Sequence, residues 1–197
     1  MIIQKITPLE INQVAELFSE VYFHDAFFIW CVNNEKDRLK VVKEYYKVYL
    51  ESTGAKTFVA KDENKIIGAC LWLPHDCDLS IYEKIAQVAL QYAPQFNEVA
   101  GKSHENEPKN TPFYQLVGFG TLKSYQGKGI GKSLLAAALT GFDQENVPTY
   151  LEASTPFNEK SIYAHFDYHT YSDTMKFTNE AILYPLFRKS NPTKEHI

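Results

Sequence analysis

A glycine-rich turn in the last third of the chain is the segment whose residues most clearly suggest chemistry. It runs from Gln126 to Gly131, between a β-prone run and a segment with helical periodicity. The N-terminus of a helix presents unpaired N–H groups and a positive dipole end. Glycines let such a backbone approach a ligand closely. The turn therefore has the composition of a phosphate-binding cradle.

Three phosphate-binding patterns compete for this turn. A P-loop requires Gly-x-x-x-x-Gly-Lys-Ser/Thr; residues 131–133 fit its end, but Gln126 occupies the first glycine position. A dinucleotide fingerprint requires Gly-x-Gly-x-x-Gly; Gly127 and Gly129 fit, but the third glycine position holds Lys132. The third pattern, Gln/Arg-x-x-Gly-x-Gly/Ala, is matched completely. A glycine-rich connection that binds no ligand is the remaining alternative.

Composition limits the other function classes. The 197 residues suit one domain over 1–197, and the net charge of −4 lacks the basic excess of a nucleic-acid binder. No apolar run approaches the roughly 20 residues that cross a bilayer, and no signal peptide is evident. The three cysteines lack CxxC spacing, which argues against a disulfide framework or a structural zinc site. We expect a cytoplasmic protein that uses neither a membrane nor a metal.

The elements that must position this turn follow from hydrophobic periodicity and turn residues. Thr7 to Glu10 reads as a capping box before a first helix, and Asn33 or Asn34 can cap a second. Helical spacing recurs in 79–93, 131–142 and 158–166, whereas 97–111 is polar and is predicted to be a loop. Strands are predicted at 2–6, 57–60, 66–73, 113–122 and 149–153, with a final hairpin at 168–171 and 174–178.

The glutamine–glycine pattern resembles the acetyl-CoA-binding motif of the GNAT superfamily of N-acetyltransferases. Other segments resemble one branch of that family, which includes puromycin N-acetyltransferase. They are 67–74 (IGACLWLP), 150–158 (YLEASTPFN), 162–168 (IYAHFDY) and 182–188 (ILYPLFR). In the third segment Asp167 stands where the branch usually has glycine, and aspartate tolerates a left-handed backbone better than most residues.

The resemblance implies a fold and a donor. The fold is a mixed α/β (α+β) domain with one mostly antiparallel central sheet flanked by helices. The donor is acetyl-CoA, bound as a substrate. The resemblance implies that the main chain of Gly120, Thr121 and Leu122 would pair with the pantetheine arm of this donor. Asn158 would contact the pantetheine or pyrophosphate side. The residues that would hold its pyrophosphate are Gln126, Gly127, Lys128, Gly129, Ile130, Gly131, Lys132 and Ser133.

Two side chains are the candidate catalytic groups. By resemblance, Tyr163 corresponds to the family tyrosine that donates a proton to the departing thiolate, and phenol and thiol pKa values, roughly 10 and 8.5, are close enough for that transfer. The strand register directs Glu152 toward the expected cleft, where it could take a proton from the amine. A core aromatic and an ion-paired carboxylate are the structural alternatives for these two residues.

The acceptor side of the chain is aromatic. Aromatic residues cluster in two regions, and most are expected in the core while a few could form an apolar acceptor pocket: Tyr22, Phe23, Phe27, Phe28, Trp30, Tyr82 and Tyr92. His75 and Asp76 could line that pocket, and His24 and Asp25 could border its mouth. His104 is expected to be solvated in the polar loop.

The sequence therefore predicts an acetyl-CoA-dependent N-acetyltransferase acting on a primary amine of a small molecule or a peptide. A catalytically silent acyl-CoA-binding sensor or scaffold is the first alternative, and a P-loop-like nucleotide-binding protein is the second. The surplus of aromatic side chains would permit a homodimer. The amine acceptor stays open among aminoglycosides, polyamines, peptide N-termini, lysine and antibiotic amines.

Overall fold

A computed structural model describes residues 1–77 and 80–193, without the side chains of Tyr82, Ala89 and Leu90. The strands of this part are β1 (Ile2–Lys5), β2 (Lys56–Asp62), β3 (Lys65–Pro74), β4 (Tyr114–Thr121), β5 (Thr149–Ala153), β6 (His169–Thr170), β7 (Met175–Lys176) and β8 (Ile182–Arg188). Its α-helices are α1 (Ile11–Val21), α2 (Ala26–Cys31), α3 (Glu35–Leu50), α4 (Ser80–Tyr92), α5 (Gln95–Asn106), α6 (Ile130–Gln144) and α7 (Ile162–His165).

The strands form one sheet in the order β1-β2-β3-β4-β5-β8-β6, with β7 also paired to β8. Every pair is antiparallel except β4–β5, which is parallel. Because a parallel pair requires a crossover, the chain passes through α6 between these two strands. The predicted fold class is confirmed.

The two central strands separate soon after they meet. Their register includes only Tyr114–Thr149, Gln115–Tyr150 and Leu116–Leu151, although β4 continues to Thr121. A register shift against β3 also bends β4, at the step between its partners Leu71 and Trp72. Beyond Leu116 the β4 edge that faces β5 is therefore open, and this wedge is where a ligand can reach the backbone.

Helices cover both faces of the sheet. On one face, α1 and α3 pack together over β3 and β4. The β4 glycines allow this close approach, since a Cβ at Gly118 would lie 2.9 Å from the Phe18 ring and one at Gly120 would overlap Val21. On the other face, α6 buries Leu134, Leu135 and further apolar residues against β2 and β3. The sheet is thus held rigidly on both sides of the wedge.

A buried ion pair ties the last strand to α6 and α7. The Arg188 guanidinium donates to both carboxylate oxygens of Asp143, at 2.8 and 2.6 Å, and its Nε donates to the Phe166 carbonyl at 2.9 Å. Arg188 is 1% exposed and Asp143 2%. The bidentate geometry satisfies both charges without water, so β8 is fixed to the α6 face of the sheet.

Several local predictions are confirmed. The capping box holds, with the Glu10 carboxylate accepting from the Thr7 backbone N–H at 2.8 Å, although residues 8–10 form a 3-10 turn before α1. Asn34 caps α3 by accepting from the Lys36 N–H. Asp167 adopts φ 62°, the left-handed conformation that its side chain was expected to tolerate.

Two predictions are wrong, and a third holds only in part, since the helix expected over 158–166 is confined to α7, Ile162–His165. Residues 97–111 were predicted to be a loop, but α5 extends to Asn106. Its many polar residues led to the loop prediction, although the helix also has a face that buries Phe96 and Val99. The hairpin of 168–178 does not form, because β6 and β7 each pair with β8 rather than with each other. The longer β8, with Leu183 and Leu186 buried, offers both short strands a better-packed partner. The helix expected over 79–93 spans Ser80–Tyr92, and residue 79 lies outside the described part.

Candidate active site

The glycine turn forms an open cradle at the start of α6. Gly127 and Gly129 have φ values of 78° and 79°, and a Cβ at either would meet nothing within 4 Å. The first helical bond at this end runs from the Ser133 N–H to the Gly129 carbonyl at 3.1 Å. The amides immediately before Ser133 therefore lack an intrahelical acceptor and point out of the helix end. This is the geometry in which a helix N-terminus binds a phosphate.

Gln126 does not extend into this cradle. Its Nε2 donates to the carbonyl of Thr121 at 3.2 Å, across the short 3-10 turn Lys123–Tyr125. The side chain thereby fixes the turn to the end of β4. The glutamine of the motif thus holds the cradle next to the wedge between β4 and β5.

The open edge of β4 presents the backbone of Phe119 and Thr121 rather than of Gly120 and Leu122. The Leu122 N–H donates to the Ile67 carbonyl at 3.0 Å, and its carbonyl accepts from Tyr125. Because N–H groups alternate along a strand, Gly120 also faces β3, opposite Ala69. Of the three predicted backbone positions, Thr121 is the one that faces the wedge.

Phe119, which the sequence did not single out, faces the wedge as well. Its N–H donates to the Tyr22 hydroxyl at 2.9 Å, and that hydroxyl donates to the Phe119 carbonyl at 3.0 Å. Burial raises the pKa of Tyr22 to about 12, so this hydroxyl keeps its proton at neutral pH. No local sequence pattern predicts this pair, because its members are 97 positions apart.

A cavity of about 320 Å³ opens beside the wedge. Its walls come from α2, α3, α4 and α5, and its floor from β3, β4 and the end of β5. Glu152 and Tyr163 both line it, as do Tyr22 and Phe119. The two predicted catalytic residues therefore line one cavity, at the end of the sheet where β4 and β5 separate.

Glu152 is held at the cavity wall by neutral donors. Its carboxylate accepts from the Ser103 hydroxyl at 2.7 Å and from the Tyr150 hydroxyl at 3.0 Å. Desolvation raises the pKa of this carboxyl from 4.5 to about 7, against the opposing effect of the two hydrogen bonds. A carboxylate with that pKa can accept a proton and release it again near neutral pH. Ser103 is a site residue that the loop prediction for 97–111 missed.

Tyr163 lies on the first turn of α7, which Ser161 caps by accepting from the Ala164 N–H at 3.2 Å. Its ring centroid is 6.2 Å from that of Phe119 and 5.9 Å from that of Tyr168. Desolvation raises the pKa of the Tyr163 hydroxyl well above its ordinary value. The hydroxyl is therefore protonated at neutral pH and is available as a hydrogen-bond donor, but its pKa lies further from that of a thiol than the ordinary phenol value on which the sequence prediction relied.

The remaining candidates have mainly structural contacts. Asn158 is exposed, and its side-chain oxygen accepts from the Lys160 N–H at 2.9 Å. Asp25 caps α2 and also accepts from Ser154 at 2.7 Å, which ties α2 to the end of β5. His75 lines the cavity, with its backbone N–H bonded to the Phe113 carbonyl.

His104 lies on α5 rather than in a loop, at the cavity rim, and its Nδ1 is 2.9 Å from the Glu107 carboxylate. Within the described residues no three His, Cys, Asp or Glu side chains form a group that could bind a metal. No helix in that same part of the chain is long and apolar enough to cross a membrane.

A sequence model of the acetyltransferase (GNAT) family matches residues 12–166. The chain belongs to this family. The match includes the α6 cradle, both wedge strands, Glu152 and Tyr163. The further resemblance to the puromycin N-acetyltransferase branch stays a prediction, and no curated protein matches the sequence.

Solved structures share the whole fold of this GNAT domain. A protein from Corynebacterium glutamicum, described as histone acetyltransferase HPA2 and related acetyltransferase, is 18% identical with a TM-score of 0.70, over 98% of each chain. Arylalkylamine N-acetyltransferase 2 from Aedes aegypti is 15% identical with a TM-score of 0.62, over 96% of this chain and 99% of that one. A polyamine N-acetyltransferase from Drosophila melanogaster is 13% identical with a TM-score of 0.58, over 94% of this chain and 96% of that one.

Proposed function

We propose that this GNAT domain transfers an acetyl group from acetyl-CoA to a primary amine by direct attack. The observation that carries the proposal is the arrangement of three features around one wedge. The α6 cradle offers free amides for a pyrophosphate, the β4 edge that is not paired with β5 runs from this cradle toward the cavity, and the cavity is lined by Glu152 and Tyr163. Membership in the family and the N-acetyltransferase neighbours support the same reaction.

The donor extends along the wedge in this proposal. Its pyrophosphate lies on the amides of 127–132, where the positive end of the helix dipole faces it. The pantetheine arm passes along β4 past the Thr121 backbone. The thioester then reaches Phe119, whose N–H and carbonyl both bond to the Tyr22 hydroxyl. Ser133, at the first turn of α6, adds a hydroxyl beside the cradle.

The chemistry uses Glu152 as the base and Tyr163 as the acid. Glu152 takes a proton from the substrate ammonium, and the neutral nitrogen attacks the thioester carbonyl to form the C–N bond. The C–S bond breaks, the thiolate leaves with the electron pair, and Tyr163 gives it a proton. The amide nitrogen then gives its surplus proton to the tyrosinate, and Glu152 releases its own to water. Each group thus returns to its starting state.

Amine-dependent release of the coenzyme A thiol tests this proposal, with native protein compared with Tyr163→Phe. We expect turnover that depends on the amine and falls in the variant by about 10²- to 10⁴-fold, the usual range for a general acid. Stabilisation of the fold by acetyl-CoA without turnover of any amine would favour the silent acyl-CoA-binding alternative. Stabilisation by ATP but not by acetyl-CoA would instead support the nucleotide-binding alternative.

A further inference from the structure

The helical side of the cavity that holds Glu152 is lined mainly by apolar and aromatic side chains, whereas polar lining residues come from the C-terminal part of α5 and from the strand side. The apolar and aromatic side chains of the cavity come from four helices and are Phe27, Phe28, Tyr45, Tyr49, Ile81, Ile85, Phe96 and Val99. The Tyr45 and Phe96 rings stack with their centroids 4.5 Å apart and 20° between their planes. The hydroxyls of Tyr45 and Tyr49 are hydrogen-bonded to each other at 3.1 Å, so each satisfies part of the other's hydrogen-bonding capacity. Such walls favour an apolar ligand body.

The charged groups that line this cavity determine where an ammonium can bind. Among the described residues that line it there is no lysine or arginine. Two carboxylates line it, and Glu107 is already matched by His104 at 2.9 Å and Lys109 at 3.7 Å. Glu152 accepts only from the neutral hydroxyls of Ser103 and Tyr150 among its described partners. Among the described lining residues, Glu152 is therefore the carboxylate without a matching cation.

We propose that the acceptor is a primary monoamine with one compact aromatic or branched apolar body, its ammonium at Glu152 and its body against the stacked Tyr45 and Phe96 rings. This inference rests on the proposed acetyl transfer and specifies its acceptor. A second ammonium, as in a polyamine, would lie against apolar walls without a matching charge, which is costly. An aminoglycoside would also bury many hydroxyls that these walls cannot satisfy.

An acceptor panel with acetyl-CoA tests the inference by kcat/KM from thiol release. The panel contains tyramine and phenethylamine as aromatic monoamines, spermidine as a polyamine, kanamycin as an aminoglycoside and a dipeptide. We expect the aromatic monoamines to exceed the others by at least about tenfold, since even small mismatches in such a pocket cost that much. Spermidine, kanamycin or the dipeptide as the best substrate would overturn the inference and leave the proposed acetyl transfer standing.

Neighbouring α5 positions supply a matched pair of variants. Ala100 lines the cavity, whereas Gly101 does not, and a Cβ at Gly101 would meet nothing within 4 Å. Ala100→Leu should raise KM for tyramine by at least about tenfold, because it fills space that the ligand body needs. Gly101→Leu, on the same helix, should leave KM within about twofold, since this position lies outside the cavity lining. Equal KM values in the two variants would overturn the placement of the apolar body.

Thermal stabilisation by the amine alone separates this inference from the proposed reaction. If no amine in the panel is turned over, the acetyl transfer fails. Stabilisation by tyramine but not by spermidine, lost in Ala100→Leu and kept in Gly101→Leu, would then still support the ligand class. Absence of stabilisation by tyramine together with absence of turnover would overturn the ligand class as well.

Discussion

Replacing Glu152 by glutamine should stabilise the fold above neutral pH and remove most of the transferase activity. Glutamine keeps the size of the side chain and can still bond to Ser103 and Tyr150, which hold the carboxylate at 2.7 and 3.0 Å. What the substitution removes is a charge that is desolvated at the cavity wall. The same substitution therefore tests whether the ionised carboxylate lowers the stability of the fold while it contributes to catalysis.

The magnitude follows from the pKa of the Glu152 carboxyl, which is about 7 in the folded protein against 4.5 for an ordinary glutamate. Because the folded-state pKa is raised, the stability linked to this group is complete below pH 4.5 and is lost as the pH rises through about 7. At about 1.4 kcal/mol for each unit of pKa, the loss is at most about 3.5 kcal/mol. For a chain of this size that is up to about 7–14 °C in Tm.

Thermal unfolding of the native protein and Glu152→Gln, measured from pH 4 to pH 9, checks this reasoning. We expect the two Tm curves to coincide at the acid end and to separate through neutral pH, with the variant higher. Glu159→Gln, at an exposed position, is the control and should follow the native curve. Parallel curves for native protein and Glu152→Gln over the whole range would refute the assignment of a desolvated carboxylate.

Activity of the same proteins gives the catalytic half of this prediction. The native kcat/KM should rise with pH through about 7 as Glu152 loses its proton, and Glu152→Gln should be slower by about 10²- to 10⁴-fold. A variant that keeps native turnover would show that another group, or water, accepts the amine proton.

Four further substitutions have defined outcomes. Ser103→Ala removes a donor to the ionised form of Glu152, so the pH–activity profile should shift to higher pH; an unmoved profile would exclude a role for α5 in tuning the base. Gly129→Ala places a side chain in the cradle at φ 79°, and should cost about 1–2 kcal/mol of stability and weaken acetyl-CoA binding by calorimetry, whereas Gly101→Ala should do neither. Asp143→Asn leaves the Arg188 charge buried without its partner and should cost about 3–5 kcal/mol in denaturant unfolding. The double variant Asp143→Leu with Arg188→Met should regain much of that stability, and failure to regain any would show that the network does more than balance charge.

The strand–turn–helix geometry of the glycine cradle could be predicted from the sequence because its signals are local. The spacing of Gln126, Gly129 and Gly131 distinguishes the turn from a P-loop within six residues. Capping residues and hydrophobic periodicity indicate the strand before the turn and the helix after it. The left-handed Asp167 was also predictable, because few residue types tolerate that conformation.

The acceptor side could be predicted only in part, because it is built from distant segments. The polar composition of 97–111 concealed α5, although Phe96, Val99 and Ser103 recur at helical spacing and could have revealed it. Tyr22 and Phe119 meet across 97 positions, which no local pattern encodes. The backbone of Phe119, rather than the predicted Gly120 and Leu122, faces the wedge because of the strand register. The sequence does not specify that register to one residue.

Mass spectrometry of the products formed from acetyl-CoA and tyramine tests the central claim most directly. The account predicts N-acetyltyramine and free coenzyme A in equal amounts, with both reduced together in Tyr163→Phe and Glu152→Gln. Tight binding of acetyl-CoA with no acetylated product from tyramine or any other amine of the panel would contradict it.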